Sequence, residues 1–390
     1  MDLPGDLALR IGIDYTAAVR QGAGIGRYTR ELVRSLAELN RGHDYVLFAA
    51  AGGRRLANMN WPPNFTMRSV PLSDRALAIL WHRLQLPLWV ELVTGPVDIF
   101  HSPDFVLPPV RRARTLVTVH DLSFIRYPQC ADANLRAYLN KVVPRSVQRA
   151  DLVLADSQST KDDLMGLLDL TPDRIKVVYP GVEERFRPIE DPTLLEETRK
   201  RYNLPPRFIL GLGTLQPRKN FARLIEAFAD LRSFDVAQDR SATCDLHLVI
   251  AGGKGWLYEE IFATVEQLGL EEKVIFPGFV ADEHLPALYN LADLFVFPSL
   301  YEGFGLPPLE ALACGAPVIT SDASSLPEVV GEAGLIVEAT DVENLAEAMK
   351  RVLEDDALQA EMIARGLEQA KKFTWEKAAA KLLNLYETLG

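Results

Sequence analysis

Short apolar runs recur along the chain, each closed by glycine, proline or a polar cluster and followed by residues with helical spacing. In the first half the runs are Arg10 to Asp14, Tyr45 to Ala50, Val97 to His101, Leu116 to His120, Leu152 to Ala155 and Ile175 to Tyr179. Runs of this kind between helices suit strands of a parallel sheet covered on both faces. Gly26 to Asn40 carries Leu32, Val33, Leu36 and Leu39 on one helical face, and a second helix is predicted from Ala131 to Arg149. The pattern restarts at Phe208 to Leu212. It continues through Leu246 to Ala251, Val274 to Pro277, Leu294 to Pro298, Pro317 to Thr320 and Leu335 to Glu338. Alternating strand and helix predicts an α/β protein, and the restart predicts two doubly wound units. The proline- and acid-rich run 188–206 reads as their connection.

Three stretches break the rhythm. YTAAVRQGAGIG, after the first strand, reads as a loop. Residues 75–93 are apolar-rich, with Trp81, Trp89 and a Pro87 that should kink or end a helix. A core helix is the favoured reading there, and a membrane-surface or lipid-acceptor face is the sharper alternative. Ser233 to Asp245 reads as an inserted, mobile surface loop with no evident chemistry.

Composition narrows the class. A chain of 390 residues has room for two or three domains. Its 48% hydrophobic and 24% charged content is that of a globular protein, and no apolar run reaches spanning length. The acidic N-terminus, MDLPGDLALRIGID, has no long apolar core, so no signal peptide is expected. Cys130, Cys244 and Cys314 are odd in number and far apart, which suggests reduced thiols in a cytoplasmic protein. Residues 1–188 carry a net charge of +4 and residues 189–390 one of −15. The acidic second half argues against a nucleic-acid partner.

The chemistry concentrates in FPSLYEGFGLPPLEALA, Phe297 to Ala313. It reads as a strand end, a glycine turn and a helix start. Gly303 and Gly305 allow a tight turn, and Pro307 and Pro308 suit a first helical turn. Glu302 and Glu310 bracket the turn. A helix start of this kind attracts a diphosphate, and carboxylates nearby accept hydrogen bonds from sugar or ribose hydroxyls. The plainer reading makes both glutamates solvated acids near a helix start. Arg218 and Lys219, in GTLQPRKN, stand at another strand end, where adjacent cations would stabilise a departing diphosphate. Gly22, Gly24 and Gly26 sit at the first strand-to-helix turn. A nicotinamide fold would place an acid at the end of the next strand, which instead ends in Ala and Gly. A phosphate or substrate loop is therefore the better reading. His120, and His101 with Asp104, stand where open α/β sheets bind ligands. AGGKGW lacks the Gly-x4-Gly-Lys-Ser/Thr spacing of a P-loop, and no Asp-x-Asp occurs.

FPSLYEGFGLPPLEALACGAPVI resembles the Glu-x7-Glu signature of retaining glycosyltransferases of family 4 (group 1). GIGRYTREL, VHDLSF and GTLQPRKNFARLIEAF extend the resemblance over almost the whole chain. It implies the GT-B plan, two Rossmann-like domains facing a central cleft. An acceptor domain, 1–188, would be joined by a returning helix, 374–390, and a donor domain would span 205–373. It implies transfer of a hexose, with retention and without a metal, from a nucleotide-diphosphate sugar to a glycan or lipid-linked acceptor. GDP-mannose is favoured by the DASSLPEVVGEAG segment, with UDP-glucose open, and no other cofactor is expected. His120 would meet the reacting sugar or acceptor. Glu302 would hold donor-sugar hydroxyls, Glu310 the ribose, and Arg218 and Lys219 the diphosphate. Gly24, Gly26, Gly303, Phe304 and Gly305 would line the phosphate seat, with Phe279 and Val280 by the base. The location would be cytoplasmic, with possible peripheral contact at the inner membrane face. A GT-B epimerase or phosphorylase, and a non-catalytic nucleotide-sugar-binding protein, are the alternatives. The latter would be expected to lose His120 or the basic pair.

Overall fold

The computed structural model describes residues 8–22, 24–39, 41–52, 61–237 and 245–390. The chain divides into two compact units. The first comprises Met1–Leu122, Asn134–Gly181 and Trp375–Gly390; the second comprises Ser123–Ala133 and Val182–Thr374.

The first unit holds seven parallel strands: β1 (Arg10–Asp14), β2 (Asp44–Ala50), β3 (Phe65–Val70), β4 (Ile99–Ser102), β5 (Arg114–Val119), β6 (Leu152–Ala155) and β7 (Ile175–Val177). Their order is β3-β2-β1-β4-β5-β6-β7, which reverses direction between β1 and β4. Interior strands such as β4 and β6 are buried along their whole length, as apolar runs covered on both faces must be. β3 buries only Phe65, which is why its mixed sequence gave no strand signal. The helix Ile25–Leu39 packs Tyr28, Leu32, Val33 and Leu36 into the same cluster as Trp375, Leu382, Leu383 and Tyr386 of the helix Trp375–Leu389. The C-terminal helix thus completes the first unit's core.

The second unit repeats the plan with β8 (Arg207–Leu212), β9 (Leu246–Ala251), β10 (Val274–Gly278), β11 (Leu294–Phe297), β12 (Val318–Ser321) and β13 (Leu335–Val337). Their order, β10-β9-β8-β11-β12-β13, turns between β8 and β11. β11, Leu-Phe-Val-Phe, is wholly buried at the centre.

Several local expectations change. Thr16–Arg20, within the expected loop after β1, is helical. So is Pro192–Arg201, within the expected connection, where Asp191 caps the helix by accepting from Thr193 N–H. The expected insertion is shortened, because the preceding helix runs from Phe221 to Ala237, and 238–244 lie outside the described residues. The expected core helix at 75–93 is not one. A helix at Asp74–Ala78 passes into a π-helical turn, Ile79–Arg83, and the chain then extends to a short helix at Glu91–Thr94. Of the stretch's apolar residues only Leu77 and Val90 are fully buried, while Leu84 and Leu92 are 57% and 70% exposed.

Candidate active site

The second sheet turns between β8 and β11, and the loops after those strands carry the predicted donor residues. The 3-10 turn Pro217–Lys219 follows β8, and Asn220 closes it in the left-handed conformation at φ 60°. Its amide donates to the carbonyls of Pro298 (2.9 Å) and Ala339 (2.8 Å). Asparagine tolerates that conformation, so one residue both reverses the chain and ties it to the loop after β11. Leu300 N–H adds a bond to the Arg218 carbonyl, 2.9 Å. The result brings Lys219 Nζ to 2.6 Å and Arg218 to 2.9 Å from the Glu302 carboxylate. All three side chains are between 10% and 15% exposed. Lys219 Nζ also lies 4.7 Å from the centre of the Phe297 ring. Burial alone would raise the Glu302 carboxyl, but Arg218 and Lys219 outweigh it and hold it down at about 2. One carboxylate between two cations leaves these three groups with a formal positive surplus, in surroundings that screen charge poorly.

The turn after Glu302 is braced by the loop that follows β12. Ser324 Oγ accepts from Glu302 N–H at 2.7 Å, and the Ser325 hydroxyl donates to the Glu302 and Phe304 carbonyls. Gly305 sits at φ 120° with the place of a Cβ only 2.9 Å from Leu326, so it is glycine for both conformation and space. The helix Leu306–Ala313 starts there without a side-chain cap. Pro307 and Pro308 carry no N–H, so the first turn offers fewer amide donors than its position suggests. Glu310 is 2% exposed and accepts from the Tyr289 hydroxyl at 2.9 Å. Phe304 is buried in the same unit. Phe279 is 67% exposed just past β10, whereas Val280 is buried in the core, leaving its backbone as the part able to meet a ligand.

In the first unit, Gly24 has φ +59° with open space around it. Gly26 is different: a Cβ there would lie 2.3 Å from the Gln21 carbonyl oxygen, so glycine lets the helix start press onto the preceding turn. His120 follows β5. Its Nδ1 meets Asp156 Oδ2 at 2.6 Å and its Nε2 meets the Pro103 carbonyl at 3.0 Å. Both partners are acceptors, so the ring carries both protons. Burial opposes that charge, but Asp156, Asp104 and the Pro103 carbonyl hold the imidazolium up at about 9. The rings of Tyr28 and Phe105 stand edge-on to it. His120 therefore has no N–H to spare unless Pro103 releases one. His101, expected to point toward a ligand with Asp104, is a core residue. It is 1% exposed, bonded to Tyr386 Oη (2.7 Å) and Thr118 Oγ1 (2.9 Å), and burial holds it down at about 3, hence neutral.

The structure thus brings Arg218, Lys219 and Glu302 together and places Glu310 on the adjoining helix. It adds Asn220, Ser324, Ser325 and Tyr289, which hold predicted residues in place. Their signals were faint: an asparagine after a cation pair, serines in a loop. A cavity of about 490 Å³ in the second unit, lined by Tyr127, Arg223, Leu300 and Asp322 among others, includes none of the predicted site residues.

Two family models match, Glycosyl transferases group 1 over 196–369 and Glycosyltransferase Family 4 over 22–186. O-antigen chain mannosyltransferase B of Escherichia coli is 33% identical over 385 residues, covering 94% of this chain and 96% of that protein. The chain belongs to the group 1, family 4 glycosyltransferases. Serotype-specific mannosyltransferase WbdA of the same organism is 37% identical over 273 residues, which is 68% of this chain but 32% of that longer protein. Sucrose-phosphate synthase from Thermosynechococcus elongatus superposes with a TM-score of 0.75 at 22% identity, covering 98% of this chain and 99% of that one. The two parallel-sheet units have the GT-B fold, and the family's activity is sugar transfer.

Proposed function

We propose that this glycosyltransferase moves mannose from GDP-mannose to a glycan or lipid-linked acceptor, with retention and without a metal ion. One observation carries the reading: the convergence of Arg218 and Lys219 on Glu302 where the second sheet changes direction. A diphosphate at that place meets two preorganised cations, the arrangement that stabilises charge developing on a leaving group. The absence of any Asp-x-Asp supports the metal-free assignment. Mannose is favoured because two relatives are named as mannosyltransferases.

Glu302 would turn to the donor-sugar hydroxyls once the diphosphate takes its place beside the cations. Glu310, at the buried start of its helix, would hold the ribose, and Phe279 would stack on the base. Both carboxylates already have polar partners, which suits neither of them to the nucleophile role of a double displacement. In the front-face alternative the bond from the anomeric carbon to phosphate oxygen breaks. The acceptor oxygen bonds to that carbon on the same face, and its proton passes to the departing phosphate. The exposed leucines at 72–92 are assigned to a peripheral membrane contact, which would bring a lipid-linked acceptor within reach.

The test is a thermal-shift panel of GDP-mannose, UDP-glucose and related donors, followed by transfer in chelator and NMR of the new anomeric centre. Stabilisation by GDP-mannose and an α-linked product formed in chelator are expected. An inverted product, or dependence on a divalent cation, overturns the mechanism. Stabilisation by UDP-sugars alone overturns the donor.

A further inference from the structure

The edge strand β10 ends irregularly. Pro277 carries no N–H for the ladder, the pairing with β9 shifts register between Ile275 and Gly278, and Gly278 turns the chain at φ 77°. The loop beyond, 279–284, is held by other parts of the second unit. Val280 sinks its side chain into the core. Tyr202, just after the helix Pro192–Arg201, accepts the Ala281 N–H on its hydroxyl at 3.1 Å. The same hydroxyl meets His284 Nδ1 at 2.9 Å, and the two rings stand edge to face, 5.5 Å apart. Arg185 donates to the Asp282 carbonyl at 2.6 Å and is itself fixed by both oxygens of Glu183, each at 2.8 Å. Residues 280–282 and His284 are thus pinned, while Phe279 stands exposed beside them.

The same stretch of chain reaches Glu310. The Phe186 ring lies 6.0 Å from that of Tyr289, whose hydroxyl donates to the Glu310 carboxylate. Asn290 ties the helix Leu285–Leu291 to the Arg187 carbonyl (3.0 Å) and the Ile189 N–H (2.8 Å). Apolar packing anchors the loop at Val280 alone, and one anchor leaves the backbone beyond it free to turn. The Tyr202 hydroxyl and the Arg185 guanidinium remove that freedom at Ala281 and Asp282. A loop ordered before its ligand arrives spares the ordering cost on binding.

We propose that Tyr202 and Arg185 are positioning residues for the donor's nucleoside: they hold 279–284 in the conformation that presents Phe279 to the base. This rests on the nucleotide-sugar reading and deepens it. One segment, 183–202, then sets both ends of the nucleoside site, the base through this loop and the ribose through Tyr289 and Glu310. Neither residue touches the reacting atoms, so their loss should weaken donor binding without slowing the chemical step.

The test uses the full chain, with GDP, UDP and inorganic pyrophosphate in calorimetry and GDP-mannose in a transfer assay. Tyr202→Phe, which keeps the ring, and Arg185→Met, which keeps the stem, should each weaken GDP binding and raise the GDP-mannose KM by about tenfold. kcat should stay within about twofold. Arg185→Lys retains a donor for the Asp282 carbonyl and should recover most of the loss. Pyrophosphate has no nucleoside, so wild type and variants should hold it equally. Should Tyr202→Phe fail to fold, the Arg185 pair decides the matter. Wild-type GDP affinity in both Tyr202→Phe and Arg185→Met, an equal loss of pyrophosphate binding, or a fall in kcat with KM unchanged overturns the proposal. A wild type that binds UDP and not GDP sinks the donor reading instead, and the same comparison made with UDP still decides the positioning role. If Phe279→Ala also leaves nucleotide binding untouched, the base lies elsewhere, and the reading beneath the proposal fails with it.

Discussion

Asp156→Asn probes the buried ion pair behind β5. In the wild type the His120 ring carries both protons because Asp156 and the Pro103 carbonyl accept from its two nitrogens. The rise from 6.5 to about 9 favours the charged ring by about 3 kcal/mol. Burial opposes the charge, and the carboxylate of Asp156 is the foremost of the groups that overcome it. Asparagine keeps the shape but removes the charge. With burial then dominant, His120 should fall to its ordinary value or below. A neutral ring can still donate from Nε2 to Pro103 and accept at Nδ1 from the new amide, so the fold should survive. The sign follows from linkage: a group whose folded value is raised contributes fully below 6.5, and its contribution is lost as pH rises through about 9. The stability gap between wild type and Asp156→Asn should therefore be largest near pH 6 and close by about 3 kcal/mol above pH 9. Urea unfolding across that range measures the gap, and histidine NMR follows the ring directly. A wild-type His120 that titrates near 6.5, or a gap that does not change with pH, refutes the reasoning.

Lys219→Ala and Glu310→Ala should each reduce kcat/KM at least about tenfold, read in a mannosyl-transfer assay; near-normal turnover in both removes the site assignment. Phe279→Ala should leave stability unchanged, since the ring is 67% exposed, yet weaken donor binding by about tenfold through lost base stacking, as calorimetry would show. Gly26→Ala should cost about 1–3 kcal/mol, because its methyl would press on the Gln21 carbonyl; an unchanged Tm would mean the turn yields freely. Leu84→Gln together with Leu88→Gln should abolish co-sedimentation with anionic vesicles while leaving soluble-donor binding intact, and retained co-sedimentation would discard the membrane face.

The two sheets were legible because their strands are buried on both sides, so apolar runs such as Leu294–Phe297 have no polar positions to confuse. β3 escaped because an edge strand with one buried residue has no such signature. The stretch 75–93 misled for the opposite reason. Its leucines look like core, but apolar character does not say what covers a residue, and here most of them meet solvent. His101 and His120 show the same limit within the site. Each follows an apolar run, yet one ring is neutral between Tyr386 and Thr118 and the other is charged against Asp156. Local sequence fixed where these rings sit along the chain; their protonation depends on partners as far away as residue 386.

The Glu302 group shows why distant loops must be read together. Arg218 and Lys219 are legible as a basic pair, and Glu302 as an acid near a glycine turn, but neither loop alone says that they meet. The meeting depends on Asn220, which reverses one loop and bonds to the other, and on Ser324 and Ser325, which hold the turn from a third. Three strand ends thus contribute to one charged cluster. Glu302, held down at about 2 by two cations, keeps those cations in place before any ligand arrives. A diphosphate that competes for Arg218 and Lys219 would release that carboxylate at the moment a sugar enters beside it. The same ion pair would then serve first as a brace for the empty site and afterwards as the source of a sugar-binding group.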